Sequence, residues 1–101
     1  MEESVFVEKC DQKLSELFDK VEAFDEDSRF DIDYADGILT IDLIDSDKSY
    51  VINRNVGNMK IWFSSPVSGA DYFSYDKDSS LWIGNHGDEL EKKLFTELKT
   101  L

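Results

Sequence analysis

The spacing of apolar residues switches from helical to strand period at Phe30 and returns to helical period near Leu90. Over residues 4–24, Phe6, Cys10, Leu14, Leu17, Val21 and Phe24 recur at steps of four, four, three, four and three, which is one stripe along a helix. From Phe30 the step is two: Phe30, Ile32 and Tyr34 alternate with Asp31 and Asp33. Asp36-Gly37 is a hairpin signal, because glycine accepts the positive φ of a primed turn. The next strand, 38–44, turns Leu39, Ile41 and Leu43 inward. A strand over 48–53 follows with Tyr50 and Ile52 inward, then one over 59–63 with Ile61 and Phe63 inward. A loop over 64–69 surrounds the single proline, Pro66, and two shorter strands span 70–75 and 81–83. The last helix is predicted over 88–100, with Leu90, Leu94 and Leu98 as its stripe, acids at its start and lysines later, the order the helix dipole favours. Two single-stripe helices and one sheet with one apolar face have an economical solution. It is an α+β two-layer sandwich: an antiparallel sheet of about six strands, with the N- and C-terminal helices packed on one face and water on the other.

Charge is distributed unevenly over that plan. Residues 1–47 hold 16 Asp and Glu against 4 Lys and Arg, whereas residues 48–101 hold 7 of each, so the whole net charge of −12 lies in the first half. The acids crowd residues 19–33, and Asp25-Glu26-Asp27 stands at a helix C-terminus, where the macrodipole favours a cation. Like charges at helical spacing repel by a few tenths of a kcal/mol per pair, so a packing or functional gain must offset them. Such a surface disfavours nucleic acid and anionic membranes and favours cations or basic proteins. No apolar run reaches membrane-spanning length, and one cysteine permits no internal disulfide. The opening Met-Glu-Glu-Ser is neither a signal peptide nor an Arg-rich transit peptide. With 101 residues, the expectation is a single domain.

Carboxylates alone suit hard cations, and the run lacks the spacing and glycine of an EF-hand loop, so binding there is expected to be weak, superficial and multi-site. A plain solvated face is the competing reading. Trp62 falls on the wet side of the sheet beside Lys60, and such an indole reads either as a partly covered sheet residue or as a docking anchor. His86 is the only histidine, and a lone histidine is usually incidental. Cys10 lies on the apolar stripe as a small core residue. No Ser/His/Asp arrangement, P-loop or dinucleotide fingerprint argues for a dedicated active site.

The order of elements, together with Tyr50-Val-Ile-Asn-Arg-Asn55, Ile61-Trp-Phe-Ser-Ser-Pro-Val-Ser-Gly69, Asp-Gly-Ile-Leu-Thr-Ile over 36–41 and Trp82-Ile83, resembles the frataxin (CyaY) family over essentially the whole chain. The resemblance implies an iron-binding regulator of iron–sulfur cluster assembly. Such a protein holds Fe²⁺ or Fe³⁺ weakly and docks on a cysteine desulfurase–scaffold complex to modulate sulfur transfer. It also implies an acidic ridge made here of Glu8, Asp11, Asp19, Glu22, Asp25, Asp27, Asp31 and Asp33, and a partner face of Asn53 and Trp62 flanked by Asn55 and Lys60. Iron delivery and a weak ferroxidase activity belong to the same resemblance, as do a monomer with metal-driven oligomers and a location in the bacterial cytoplasm or, after removal of a transit peptide, the mitochondrial matrix. A ferroxidase or iron-storage protein, and an acidic interaction domain with no metal role, are the alternatives. Phe18 and Arg29 depart from the pattern, standing where some bacterial members carry acids, and Asp71 or Tyr72 replaces a basic residue of mitochondrial members.

Overall fold

In the computed structural model, which describes Met1–Leu101, a long helix α1 (Glu3–Phe24) precedes six strands and a short helix α2 (Leu90–Leu98) closes the chain. The strands are β1 (Phe30–Ala35), β2 (Ile38–Leu43), β3 (Ser49–Asn55), β4 (Lys60–Ser65), β5 (Gly69–Asp76) and β6 (Leu81–Gly84). Each pairs antiparallel with the next, so the sheet runs β1 to β6 in chain order. Short connections between neighbours make this meander the direct outcome of the turn signals.

Phe6, Cys10, Leu14, Leu17 and Val21 of α1 are buried, which is the expected stripe with only Phe24 part-exposed. They meet Leu39, Ile41, Tyr50, Ile52, Ile61, Phe63, Phe73 and Trp82, the inward positions of β2 to β6, in one cluster of 17 buried residues. Leu90, Leu94 and Leu98 of α2 and Phe30 of β1 complete the cluster. Edge contacts between rings fix the ends of the helix layer: Phe6 meets Trp82 at 6.0 Å and Phe24 meets Phe95 at 5.6 Å. Both helices therefore cover one face and leave the other bare.

Several boundaries differ from expectation, among them β3, expected over 48–53 and observed over Ser49–Asn55. β2 ends at Leu43, and Ile44 is 59% exposed with its amide on the Arg29 carbonyl. The loop expected over 64–69 is shorter, because Ser64 and Ser65 stay in β4 and Gly69 opens β5. Ser65 Oγ accepts the amides of Val67 and Ser68, so a side chain replaces the strand partners the turn lacks. α2 is trimmed at both ends. Glu89 is its N-cap and accepts the amides of Glu91 and Lys92, so Asp88 lies outside the helix and Lys92 and Lys93 fall in its first turn. The expected complement to the helix dipole thus reduces to acids at the start and Lys99 at the C-cap.

Candidate functional site

The acidic run becomes a ridge because α1 ends beside edge strand β1. Glu8, Asp19, Glu22, Asp27, Asp31 and Asp33 are all exposed. The two cations within the run point elsewhere. Lys20 reaches across to Glu91 of α2 at 3.0 Å, and Arg29 donates to the Leu101 carbonyl. None of the six carboxylates takes part in an ion pair.

Two other ridge positions have structural partners. Asp11 Oδ1 accepts Arg54 Nη1 at 2.6 Å and the Tyr34 hydroxyl at 3.0 Å, which ties α1 to β3 and β1. Burial, then the bond to Asp11, pushes the Tyr34 phenol up to about 12, so it stays a donor across the physiological range. Asp25 accepts the Arg29 amide on Oδ1 at 2.8 Å and the Phe30 amide on Oδ2 at 3.0 Å. Its place at the helix end, against the dipole, has a local cause: it organises the turn into β1, where Ser28 adopts φ 53°.

Glu22, Asp25 and Asp31 line one shallow depression of about 300 Å³ with Ser28, Phe30 and Ile32. Nowhere do three His, Cys, Asp or Glu side chains converge as ligands for one metal ion. The ridge therefore offers hard oxygen donors spread over a surface, a set that suits a loosely held cation and not a closed coordination sphere. His86 is exposed in the β6–α2 loop. Cys10 is wholly buried, and burial followed by the neighbouring Asp11 raises its thiol to about 12, which makes it inert.

On the bare sheet face the register places Ala35, Ile38, Asn53, Trp62 and Tyr72 side by side in one row across five strands. Trp62 is half-buried because Tyr72 lies against it, with ring centroids 5.0 Å apart. Asn53 Nδ2 donates to the Arg54 carbonyl, and Asn55 pairs with Lys60 two register steps along. Of the two candidates for the replaced basic position, Tyr72 faces outward here. Asp71 turns inward and is 8% exposed, with Oδ2 buried and unbonded under Gly84.

Other polar positions were not singled out from the sequence. Glu97, 9% exposed, accepts three hydroxyls: Tyr50 and Ser65 on Oε1 and Ser68 on Oε2. Its place on the inward side of α2, three residues after Leu94, was the available signal. Glu91 joins Lys13 at 2.9 Å and Lys20 at 3.0 Å, bridging the two helices. Burial works against its charge, but hydrogen bonds from Lys13 and then Lys20 outweigh that and hold its carboxyl down at about 2. The largest depression, about 520 Å³ beside the start of α2, has no apolar lining residue and so is unlike a small-molecule cleft.

An acidic two-layer α+β protein that presents a carboxylate ridge and a bare aromatic sheet face, in place of a cleft, is the class that fold and site define. The chain belongs to the frataxin family, since the model of the frataxin-like domain matches residues 1–101. It is 35% identical over 105 residues to mitochondrial frataxin of Arabidopsis thaliana, covering 100% of this chain and 56% of that protein. It is 32% identical over 80 residues to the iron-sulfur cluster assembly protein CyaY of Thioalkalivibrio sulfidiphilus, covering 79% of this chain and 73% of that one. The chain thus spans about half the length of the plant relative. Among solved structures, trimeric frataxin from the yeast Saccharomyces cerevisiae, complexed with ferrous iron, superposes with a TM-score of 0.78 at 27% identity, over 91% of this chain and 83% of that one. The relatives include mitochondrial and bacterial proteins, and no helix here is long and apolar enough to cross a membrane.

Proposed function

We propose that this protein carries iron as a loosely bound cargo and regulates iron–sulfur cluster assembly. Residues 1–101 act as one frataxin-like unit. The ridge takes Fe²⁺ or Fe³⁺, and also meets a basic patch on a cysteine desulfurase, while Asn53 and Trp62, with Asn55 and Lys60 beside them, dock on the scaffold protein. The working form is a monomer that metal drives into oligomers, in the bacterial cytoplasm or the mitochondrial matrix. The observation that carries the reading is the set of exposed, unpaired carboxylates Glu8, Asp19, Glu22, Asp27, Asp31 and Asp33, which stay unpaired although Lys20 and Arg29 lie within reach in the chain. Asp11 and Asp25 belong to the ridge as its structural supports, Asp11 engaged by the protein through Oδ1 and Asp25 through both oxygens.

The test is sulfide production by the purified desulfurase with its scaffold. Wild-type protein should change the rate, and a variant carrying Asp19→Asn, Glu22→Gln, Asp27→Asn and Asp31→Asn should lose that effect. Trp62→Ala should lose it independently. An unchanged effect in both variants overturns the reading. Ferroxidase activity is the second reading, and it ranks behind cargo binding because no three ligating side chains converge on one site.

A further inference from the structure

We infer that Arg54, aided by Tyr34, is a positioning residue: it fixes the carboxylates of α1 at a set spacing from those of β1, and a basic protein surface reads that spacing while a metal ion does not. The inference rests on the ridge reading proposed above, and gives a role to a residue that lies outside both the ridge and the bare sheet face.

The exposed carboxylates form two rows, Glu8, Asp19 and Glu22 on α1 and Asp31 and Asp33 on β1. Like charges push such rows apart, and no ion pair joins them. Both ends of the double row are nevertheless tied. At one end Asp25 takes the amides of Arg29 and Phe30. At the other Asp11, three residues after Glu8, takes Arg54 Nη1 at 2.6 Å and the hydroxyl of Tyr34, the residue after Asp33. One carboxylate oxygen of α1 therefore holds donors from β3 and from β1.

Arg54 reaches Asp11 along a path that the β1–β2 turn leaves open. Its amide donates to the Gly37 carbonyl at 3.2 Å, and its guanidinium lies against that glycine, where a Cβ would stand 2.7 Å from Nε and Cζ. Gly37, which the turn needs for its φ of 76°, is thus also the gap through which the arginine passes. The guanidinium is spent on Asp11 Oδ1, the one carboxylate it pairs with, and the two exposed rows keep their charge.

A loosely held cation has little need of this bracing. No three ligating side chains converge, so the ion takes an oxygen or two, keeps water for the rest and follows whichever row it sits on. A protein surface carrying several cations must meet both rows at once, and a row that shifts leaves its partners unmatched. Rows held in place beforehand spare that contact the cost of ordering them.

The experiment measures binding of wild-type protein and variants to immobilised, purified desulfurase–scaffold complex, with NMR titrations of Co²⁺ on the same proteins and melting curves to confirm each fold. Arg54→Gln makes the chain one charge more negative, so attraction alone would tighten its hold on a basic partner. Loss of positioning should instead weaken binding by about 5- to 10-fold, mainly through faster dissociation. Arg54→Lys, which keeps a donor for Asp11, should recover most of that loss. Tyr34→Phe, which keeps the charge pair and preserves the fold most conservatively, should weaken binding by about twofold. Asp11→Asn added to Arg54→Gln should cost nothing further, because both act through one bond. Glu97→Gln, which weakens the fold away from the ridge, should bind like wild type. The Co²⁺ response of Asp19, Glu22 and Asp31 in Arg54→Gln should stay within about twofold of wild type. Binding by Arg54→Gln as tight as wild type, or tighter, overturns the positioning role and leaves the docking reading standing. An equal loss in Glu97→Gln, a further loss in the double variant, or a lost Co²⁺ response overturns it too. A complex that fails to bind the wild type overturns both.

Discussion

Two populations of carboxylates share this small protein, and they are treated in opposite ways. Glu97, Glu91, Asp11 and Asp25 each hold protein donors: three hydroxyls, two lysines, an arginine with a tyrosine, and two backbone amides. Asp19, Glu22, Asp27, Asp31 and Asp33 hold none from a lysine or arginine, and they stand close enough along α1 and β1 to repel one another. The first population shows that this chain finds partners for its acids when they serve the fold. On the proposed reading, the second is a surface kept available for a cation or a basic partner outside the molecule.

Substitutions can break or sharpen that contrast. The largest effect is expected at Glu97. Glu97→Ala strands the hydroxyls of Tyr50 and Ser65 in a buried site, releases that of the exposed Ser68, and should cost about 3 kcal/mol of unfolding free energy in urea titrations. A loss below about 1 kcal/mol would move Glu97 out of the fold-serving class. Asp11→Asn weakens the bonds from Arg54 and Tyr34 and should cost about 1–2 kcal/mol, while leaving cation binding at the ridge as it was. Glu91→Gln should cost about 1 kcal/mol at neutral pH, after allowance for solvent screening of a partly exposed cluster. The sign with pH follows from its folded carboxyl lying near 2, below the ordinary value of 4.5. Its contribution is complete above pH 4.5 and is lost as the pH falls toward 2, so the Gln variant should show a flatter loss of stability over that window. The smallest effect has the opposite sign. Neutralising Asp19, Glu22, Asp27 and Asp31 together should raise the melting temperature by about 2–5 °C, because only repulsion is removed. A lower melting temperature would place these acids among those that serve the fold.

The fold was legible because its signals are local. The steps of four and three from Phe6 to Val21, the alternation from Phe30 and the Asp36-Gly37 turn each state their element within a few residues, and the structure follows them. The outward place of Trp62 was readable from the same alternation. What stayed hidden depends on partners distant in the chain. Asp11 looks like one more acid on a polar helix face until Arg54, 43 residues on, arrives beneath it. Asp25 looks like a violation of the helix dipole until Arg29 and Phe30 fold back onto it. Glu97 and Asp71 sit at inward positions of α2 and β5, so their burial could have been read from parity, but the hydroxyls that satisfy Glu97 could not. The start of α2 was misplaced because Asp88 and Glu89 stand in succession, each with an oxygen able to cap, and only the geometry selects Glu89.

The most direct measurement of the contrast is an NMR titration of the isotope-labelled protein with Fe²⁺, or with Co²⁺ as its stable counterpart. The expected result is saturable broadening at Asp19, Glu22, Asp27, Asp31 and Asp33, with Glu97 and the Asp76–Asp78 turn unaffected at the same metal concentration. Uniform weak changes at every exposed acid, or none in residues 19–33, would contradict the claim that these carboxylates are held unpaired for an external cation.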